Sequence, residues 1–210
     1  MFDAVIFDLD GTLLDTEALS QAAGIAAFAD HGLAVDPAFL HSLIGHDDVT
    51  GAGLIRARFP GLNFAGLATA WSKRITVLYA DGIPLKPGTH QLLAALRQPL
   101  ALATSSTRTQ LDLKLSVTDI APYFRHIVCV DDVQKPKPAP EPYLLAAKRL
   151  GVDPARCVAF EDSETGAQSA HLAGMTVVQV PDINPASGRF AHLVAPDLLT
   201  GAREIGLLPK

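Results

Sequence analysis

Short apolar runs, helical patterns between them and polar residues just beyond them predict a doubly wound (Rossmann-like) α/β parallel sheet. A long interval without strands predicts an all-helical unit inserted into that sheet. The runs are Ala4–Phe7, Leu100–Thr104, Ile127–Val130, Cys157–Phe160 and Thr176–Val180, each four or five residues long. That length suits a strand buried on both faces.

Taken in order, Ala4–Phe7 opens the sheet. About eighty residues, Glu17 to Arg97, then pass without a convincing strand. They read as helices over Ala18–His31, Pro37–Leu43, Val49–Arg58 and Phe64–Ala80. Gly32, Gly45 and the Pro60-Gly61 pair punctuate them. A compact sheet does not carry such a length as loop. The boundaries expected are therefore 1–15 and 86–210 for the α/β core, and 16–85 for a helical cap. Leu14–Glu17 would lead out and the turn-rich Asp81–Gly88 would lead back. After the second run, Thr107–Val117 has a helical pattern with Leu111, Leu113 and Leu115. Tyr143–Leu150 is closed by Gly151, and Thr165–Ala173 by Gly174. Strand alternating with helix implies right-handed βαβ units.

Composition narrows the function classes. The chain has 210 residues, with 17 Lys+Arg against 22 Asp+Glu. It is 49% hydrophobic and 19% charged, which excludes an intrinsically disordered chain. The acidic excess offers no footprint for nucleic acid or for an anionic membrane surface. Cys129 and Cys157 lack CxxC spacing and sit in apolar runs, as small core residues do. The N-terminus has no basic n-region, and no stretch approaches the ~20 apolar residues of a membrane span. The expectation is a soluble, cytoplasmic protein.

The chemistry sits in the polar residues at the carboxyl end of each run. Asp8 and Asp10 come after the first, in Asp8-Leu9-Asp10-Gly11-Thr12. The second ends in Thr104, Ser105 and Ser106; the third leads to Lys135-Pro136-Lys137-Pro138; the fourth to Glu161, Asp162 and Ser163. In open parallel sheets the ligand site lies beyond the carboxyl ends of the strands. Four strands thus deliver carboxylates, hydroxyls and a lysine to one edge. Carboxylates without histidine suit a hard cation, most simply Mg²⁺. A lysine and hydroxyls suit phosphate oxygens. An aspartate can serve as the nucleophile, and a second one as the acid/base.

These residues resemble the four motifs of the haloacid dehalogenase (HAD) superfamily, and the resemblance covers essentially the whole chain. It implies a phosphotransferase fold with a C1-type helical cap. Asp8 would be the nucleophile and a metal ligand. Asp10 would be the acid/base, with its backbone carbonyl on the metal. Gly11 and Thr12 would begin the flap, and Thr104 and Ser105 would contact phosphate. Lys137 matches the motif lysine, with Lys135 as the alternative. Asp162 would be a direct metal ligand, and Glu161 a direct or water-mediated one. The second aspartate disfavours dehalogenases. Ser20 and Asp48 stand where β-phosphoglucomutases carry a histidine and an arginine, which favours transfer to water over a mutase. The resemblance thus implies Mg²⁺-dependent hydrolysis of a small phosphorylated metabolite, with a phosphomutase as the alternative.

Purely structural roles stand beside these. Ser105, Ser106 and Thr107 can be a helix cap, and Glu161–Ser163 another. His41 and His46-Asp47-Asp48 read as solvated cap residues or a second metal site. Trp71 and Tyr79 read as core. From Thr16 to Pro84, Arg56, Arg58, Lys73 and Arg74 face six acids. So cation-poor a cap points to a neutral leaving group such as a sugar or polyol, with phosphoglycolate as the other candidate.

Overall fold

The computed structural model describes residues 2–43 and 48–209. It contains one six-stranded sheet: β1 (Ala4–Phe7), β2 (Leu100–Ala103), β3 (Phe124–Val128), β4 (Cys157–Glu161), β5 (Thr176–Gln179) and β6 (Leu193–Val194). The order is β3-β2-β1-β4-β5-β6, and every pairing is parallel. The doubly wound fold expected from the sequence is the fold observed.

Alternation along each strand builds the two layers. Val5, Phe7, Leu100, Leu102, Val158 and Phe160 face one side. There they meet α5 (Thr89–Ala95), α6 (Arg108–Ser116) and α9 (Leu198–Glu204) through Leu92, Leu111, Leu198 and Ala202. Ala4, Ile6, Ala101, Ala103 and Ala159 face the other side. Their partners are Tyr143, Ala146 and Ala147 of α7 (Glu141–Leu150) and Ala167 and Ala170 of α8 (Glu164–Leu172). Small residues on that side let α7 and α8 approach the sheet closely. Gly151 ends α7 at φ 72°, the left-handed position that favours glycine.

The third strand lies earlier than expected, at Phe124–Val128 rather than Ile127–Val130. It is the sheet edge, with Arg125 exposed, so it is not a continuous apolar run. Cys129 and Val130 turn off into a 3₁₀ turn capped by Asp132. Helices α5 and α9 and the two-residue β6 carry no signal long enough to read from sequence.

Between β1 and α5 lie α1 (Glu17–Asp30), α2 (Pro37–His41), α3 (Asp48–Arg58) and α4 (Phe64–Ala80). They have an apolar cluster of their own around Ala27, Phe28, Leu40, Ile55 and Leu67. Trp71 packs edge-on to Phe28, and its indole N–H donates to the Ser20 carbonyl at 3.1 Å. A Cβ on Gly24 would lie 2.6 Å from the Trp71 ring, so glycine is what lets α1 and α4 meet there. Trp71 and Tyr79 are both packed in apolar clusters, as expected of core residues. The chain leaves and returns side by side. Leu14 bridges Leu85 in antiparallel fashion, Asp15 N–H donates to Pro84 O, and Lys86 N–H donates to Leu13 O. His46 and Asp47 of the second-metal reading lie outside the described residues. No described helix is long and apolar enough to cross a membrane.

Candidate active site

The strand order reverses between β1 and β4, whose carboxyl ends lie side by side: Asp8 N–H donates to Phe160 O at 2.9 Å. This is the switch point where open α/β sheets bind ligands. Asp8 and Glu161 leave the sheet there, both buried.

Lys137 joins them. Its Nζ lies 2.6 Å from Asp8 Oδ1 and 2.5 Å from Glu161 Oε1, and its side chain is buried. Lys135 is exposed; only its backbone N–H is engaged, on Glu141. The lysine brought to the site is therefore Lys137. Tyr143 of α7 donates its hydroxyl to the same Glu161 oxygen at 2.6 Å.

Asp162 completes the group. Asp8, Glu161 and Asp162 each offer a carboxylate oxygen within 4.8 Å of the others. Thr12 Oγ1 donates to Asp162 Oδ1 at 3.3 Å. Gly11, at φ 77°, lies so close that a Cβ would sit 2.5 Å from Asp162 Oδ2. Gly166 plays the matching part behind Glu161, because a Cβ there would fall inside its carboxylate. Gly166→Ala should therefore lower stability by about 1–3 kcal/mol through overpacking. Urea unfolding would measure it, and a neutral result would show that Glu161 can move aside freely.

Crowding sets the electrostatics. Burial first, opposed by Lys137 and reinforced by Glu161 and Asp10, pushes the Asp8 carboxyl up to about 7. Burial, then the charges of Asp8 and Glu161, raise Asp162 well above the usual range. One buried lysine does not neutralise three carboxylates.

Asp10 stands apart. Its carboxylate accepts from Thr16 Oγ1 at 2.9 Å, Ser106 Oγ at 2.8 Å and Lys114 Nζ at 2.6 and 2.7 Å. Burial opposes its charge, but Lys114, Ser106 and Thr16 outweigh this and hold the carboxyl below its ordinary value.

Thr104 is buried at the end of β2, and its Oγ1 accepts the Ser106 N–H at 3.1 Å. Ser105 is exposed, and Ser106 is the hydroxyl that reaches Asp10. The helix cap is Thr107, in a capping box with Gln110, which leaves Ser106 free for the site. Ser163 does cap α8, so the cap and the carboxylates coexist in one segment. Sequence reasoning missed Lys114, which lies one turn beyond Leu111 on the buried face of α6. A lysine three residues after a core leucine is the available signal. The alternation of Leu111, Leu113 and Leu115 masks it.

Fold and cluster define an α/β protein with a carboxylate–lysine centre at its switch point. Relatives narrow that class. The haloacid dehalogenase-like hydrolase family model matches residues 2–174. Protein CbbY of Rhodobacter capsulatus is 36% identical over 96% of both chains. Fructose-1-phosphate phosphatase YqaB of Escherichia coli is 32% identical over 85% of this chain and 96% of its own. A crystal structure of CbbY from Rhodobacter sphaeroides with xylulose-(1,5)bisphosphate superposes with a TM-score of 0.76 at 30% identity, covering 98% of this chain and 97% of that one. The chain belongs to the haloacid dehalogenase-like hydrolases, and as an enzyme it stands with the phosphatases of that family.

Proposed function

We propose that the protein hydrolyses small phosphate monoesters, sugar phosphates first among them, through an aspartyl-phosphate on Asp8. The observation that carries this reading is the buried Asp8–Lys137–Glu161 contact with Asp162 beside it and Asp10 held separately.

Asp8 Oδ attacks phosphorus as the bond to the leaving oxygen breaks, and Asp10, once it has taken up a proton against the hold of Lys114, Ser106 and Thr16, gives that proton to the oxygen. Water then attacks the aspartyl-phosphate and yields its proton to Asp10. The Asp8 O–P bond breaks, leaving inorganic phosphate and free carboxylate. Lys137 holds charge on the nucleophile and the transferring group. Thr104, Ser105, Gly11 and Thr12 are assigned to the phosphoryl oxygens. Thr12 is buried against Asp162, Thr104 is buried at the end of β2, and Ser105 is open to solvent.

The donor set fits Mg²⁺: three hard carboxylates close together, two of them with raised pKa values. Asp8 and Asp162 would hold it, with Glu161 adding charge, since Lys137 and Tyr143 already occupy its Oε1. Asp10 would contribute its backbone carbonyl, its carboxylate being turned to Lys114. Bound there, the ion would neutralise the carboxylates and phosphoryl oxygens.

The inserted helices 16–85 are assigned the role of a cap that closes over substrate and excludes water. Among their cations, Arg56 and Arg58 lie over the rings of Phe64 and Phe59, and Arg74 pairs with Asp30. Their engagement supports a neutral leaving group, and the name of the YqaB relative points the same way. Phosphate release from sugar phosphates, phosphoglycolate and nucleotides, with Mg²⁺ and with chelator, tests the reading. Sugar phosphates should lead by kcat/KM, and chelator should abolish turnover. Phosphoglycolate outrunning every sugar phosphate would overturn the neutral-group assignment. Isomerisation primed by a bisphosphate, without free phosphate, would establish a mutase instead.

A further inference from the structure

Two buried lysines divide the carboxylates of the site. Lys137 touches Asp8 and Glu161, whereas Lys114 pairs with Asp10 alone among the described acids. Lys114 is 6% exposed, on the face of α6 that also buries Leu111. All three of its described polar contacts converge on one spot: Asp10 Oδ1 at 2.6 Å, Asp10 Oδ2 at 2.7 Å and Ser106 Oγ at 2.8 Å. Ser106 in turn donates to Asp10, so lysine, serine and aspartate close a ring.

The ring bears on the inserted helices as well. Thr16, at the start of α1, spends its hydroxyl on Asp10 and makes no helix-cap bond. The Tyr79 ring of α4 lies 5.8 Å from Lys114 Nζ. Asp10 is thus fixed from three directions: the exit linker, the loop after β2, and α6.

We propose that Lys114 is a positioning residue that orients the Asp10 carboxylate to take the proton from the attacking water. The proposal rests on the reading of Asp10 as the acid/base. A free carboxylate two residues from Asp8 would swing on its single-bond torsions, with Lys137 as a competing cation. Lys114 grips both oxygens, so the carboxylate stays charged and keeps one orientation as the base toward the attacking water. The geometry asks nothing of Lys114 in binding the phosphoryl group, so its loss acts on kcat and leaves KM nearly alone.

A double-mutant cycle tests this, with p-nitrophenyl phosphate as the probe so that weak variants stay measurable. Lys114→Met should lower kcat about 10–100-fold with KM within about 2–3-fold. In the Asp10→Asn background the same substitution should change kcat by less than about 2-fold, because the group it positions is gone. Lys114→Gln restores an uncharged N–H donor group and should fall between wild type and Lys114→Met; it carries the cycle if the methionine variant does not fold. Equal losses in both backgrounds, or wild-type kcat in Lys114→Met, would overturn the proposal. Wild-type turnover in Asp10→Asn would instead remove the reading of Asp10 as the base, the step this probe reports because nitrophenolate leaves without a proton. Loss in Asp10→Asn with none in Lys114→Met would remove this inference alone.

Discussion

Asp8→Asn should lower phosphatase turnover by more than about 10⁴-fold while leaving the protein folded. The amide keeps the size of the side chain and can still accept from Lys137, but it is no nucleophile toward phosphorus. Its effect on stability has a sign that a structural residue would not give. In the folded protein the Asp8 carboxyl is raised to about 7, chiefly by burial. An unfolded aspartate titrates near 4. Between those values the native state holds the extra proton, so stability falls as pH rises from about 4 to about 7 and then levels off. Asparagine has no such dependence. With chelator present, Asp8→Asn should gain on wild type across that window, reaching about 1–3 kcal/mol at pH 8. Urea unfolding at several pH values measures the gap. With Mg²⁺ the order should reverse, because the ion stabilises the carboxylate form and has less to hold in the variant. A gap that shrinks as pH rises would show that Asp8 is not the strained carboxylate described.

Much of this site was legible because its residues stand at strand ends, where a run of buried apolar residues stops. Asp8, Thr104, Glu161 and Asp162 each lie at the end of such a run. The structure gathers all but Thr104 into one carboxylate group and buries Thr104 at the end of β2. The sheet was legible for the same reason: fully buried parallel strands leave unbroken apolar runs. Phe124–Val128 shows the limit, since an edge strand alternates and the run begins late. Lys114 and Ser106 were not legible as site residues. Lys114 reaches Asp10 from 104 positions away, and its one local signal, the three-residue spacing from Leu111, is masked by Leu113 and Leu115. The pair Ser105 and Ser106 shows how fine the remaining ambiguity is. Either serine fits a motif by type; only the turn into α6 decides which hydroxyl meets Asp10.

Lys137→Met should lower kcat/KM about 10³-fold and make stability depend on pH in an unusual direction. Methionine keeps an unbranched chain beside the Tyr143 ring, over which the Lys137 ammonium lies at 5.1 Å. What is lost is the charge between Asp8 and Glu161. Removing one partner of a buried ion pair is worse than replacing the whole pair, because the remaining charge has no water to turn to. Here two carboxylates lose their partner at once, with Asp162 beside them. They relieve one another only by binding a proton or a cation. The metal-free variant should therefore be destabilised by about 3–5 kcal/mol near pH 8, and recover as pH falls toward 5 and the carboxyls protonate. Mg²⁺ should stabilise it more than it stabilises wild type. Thermal unfolding with chelator and with Mg²⁺, at pH 5 and pH 8, reads both effects. Lys135→Met supplies the contrast, since its side chain is exposed two residues away. It should keep turnover within about 2-fold. Equal losses in the two variants would mean that the Lys-Pro-Lys-Pro segment acts through its shape. A loss confined to Lys137→Met ties the chemistry to the one ammonium that touches Asp8.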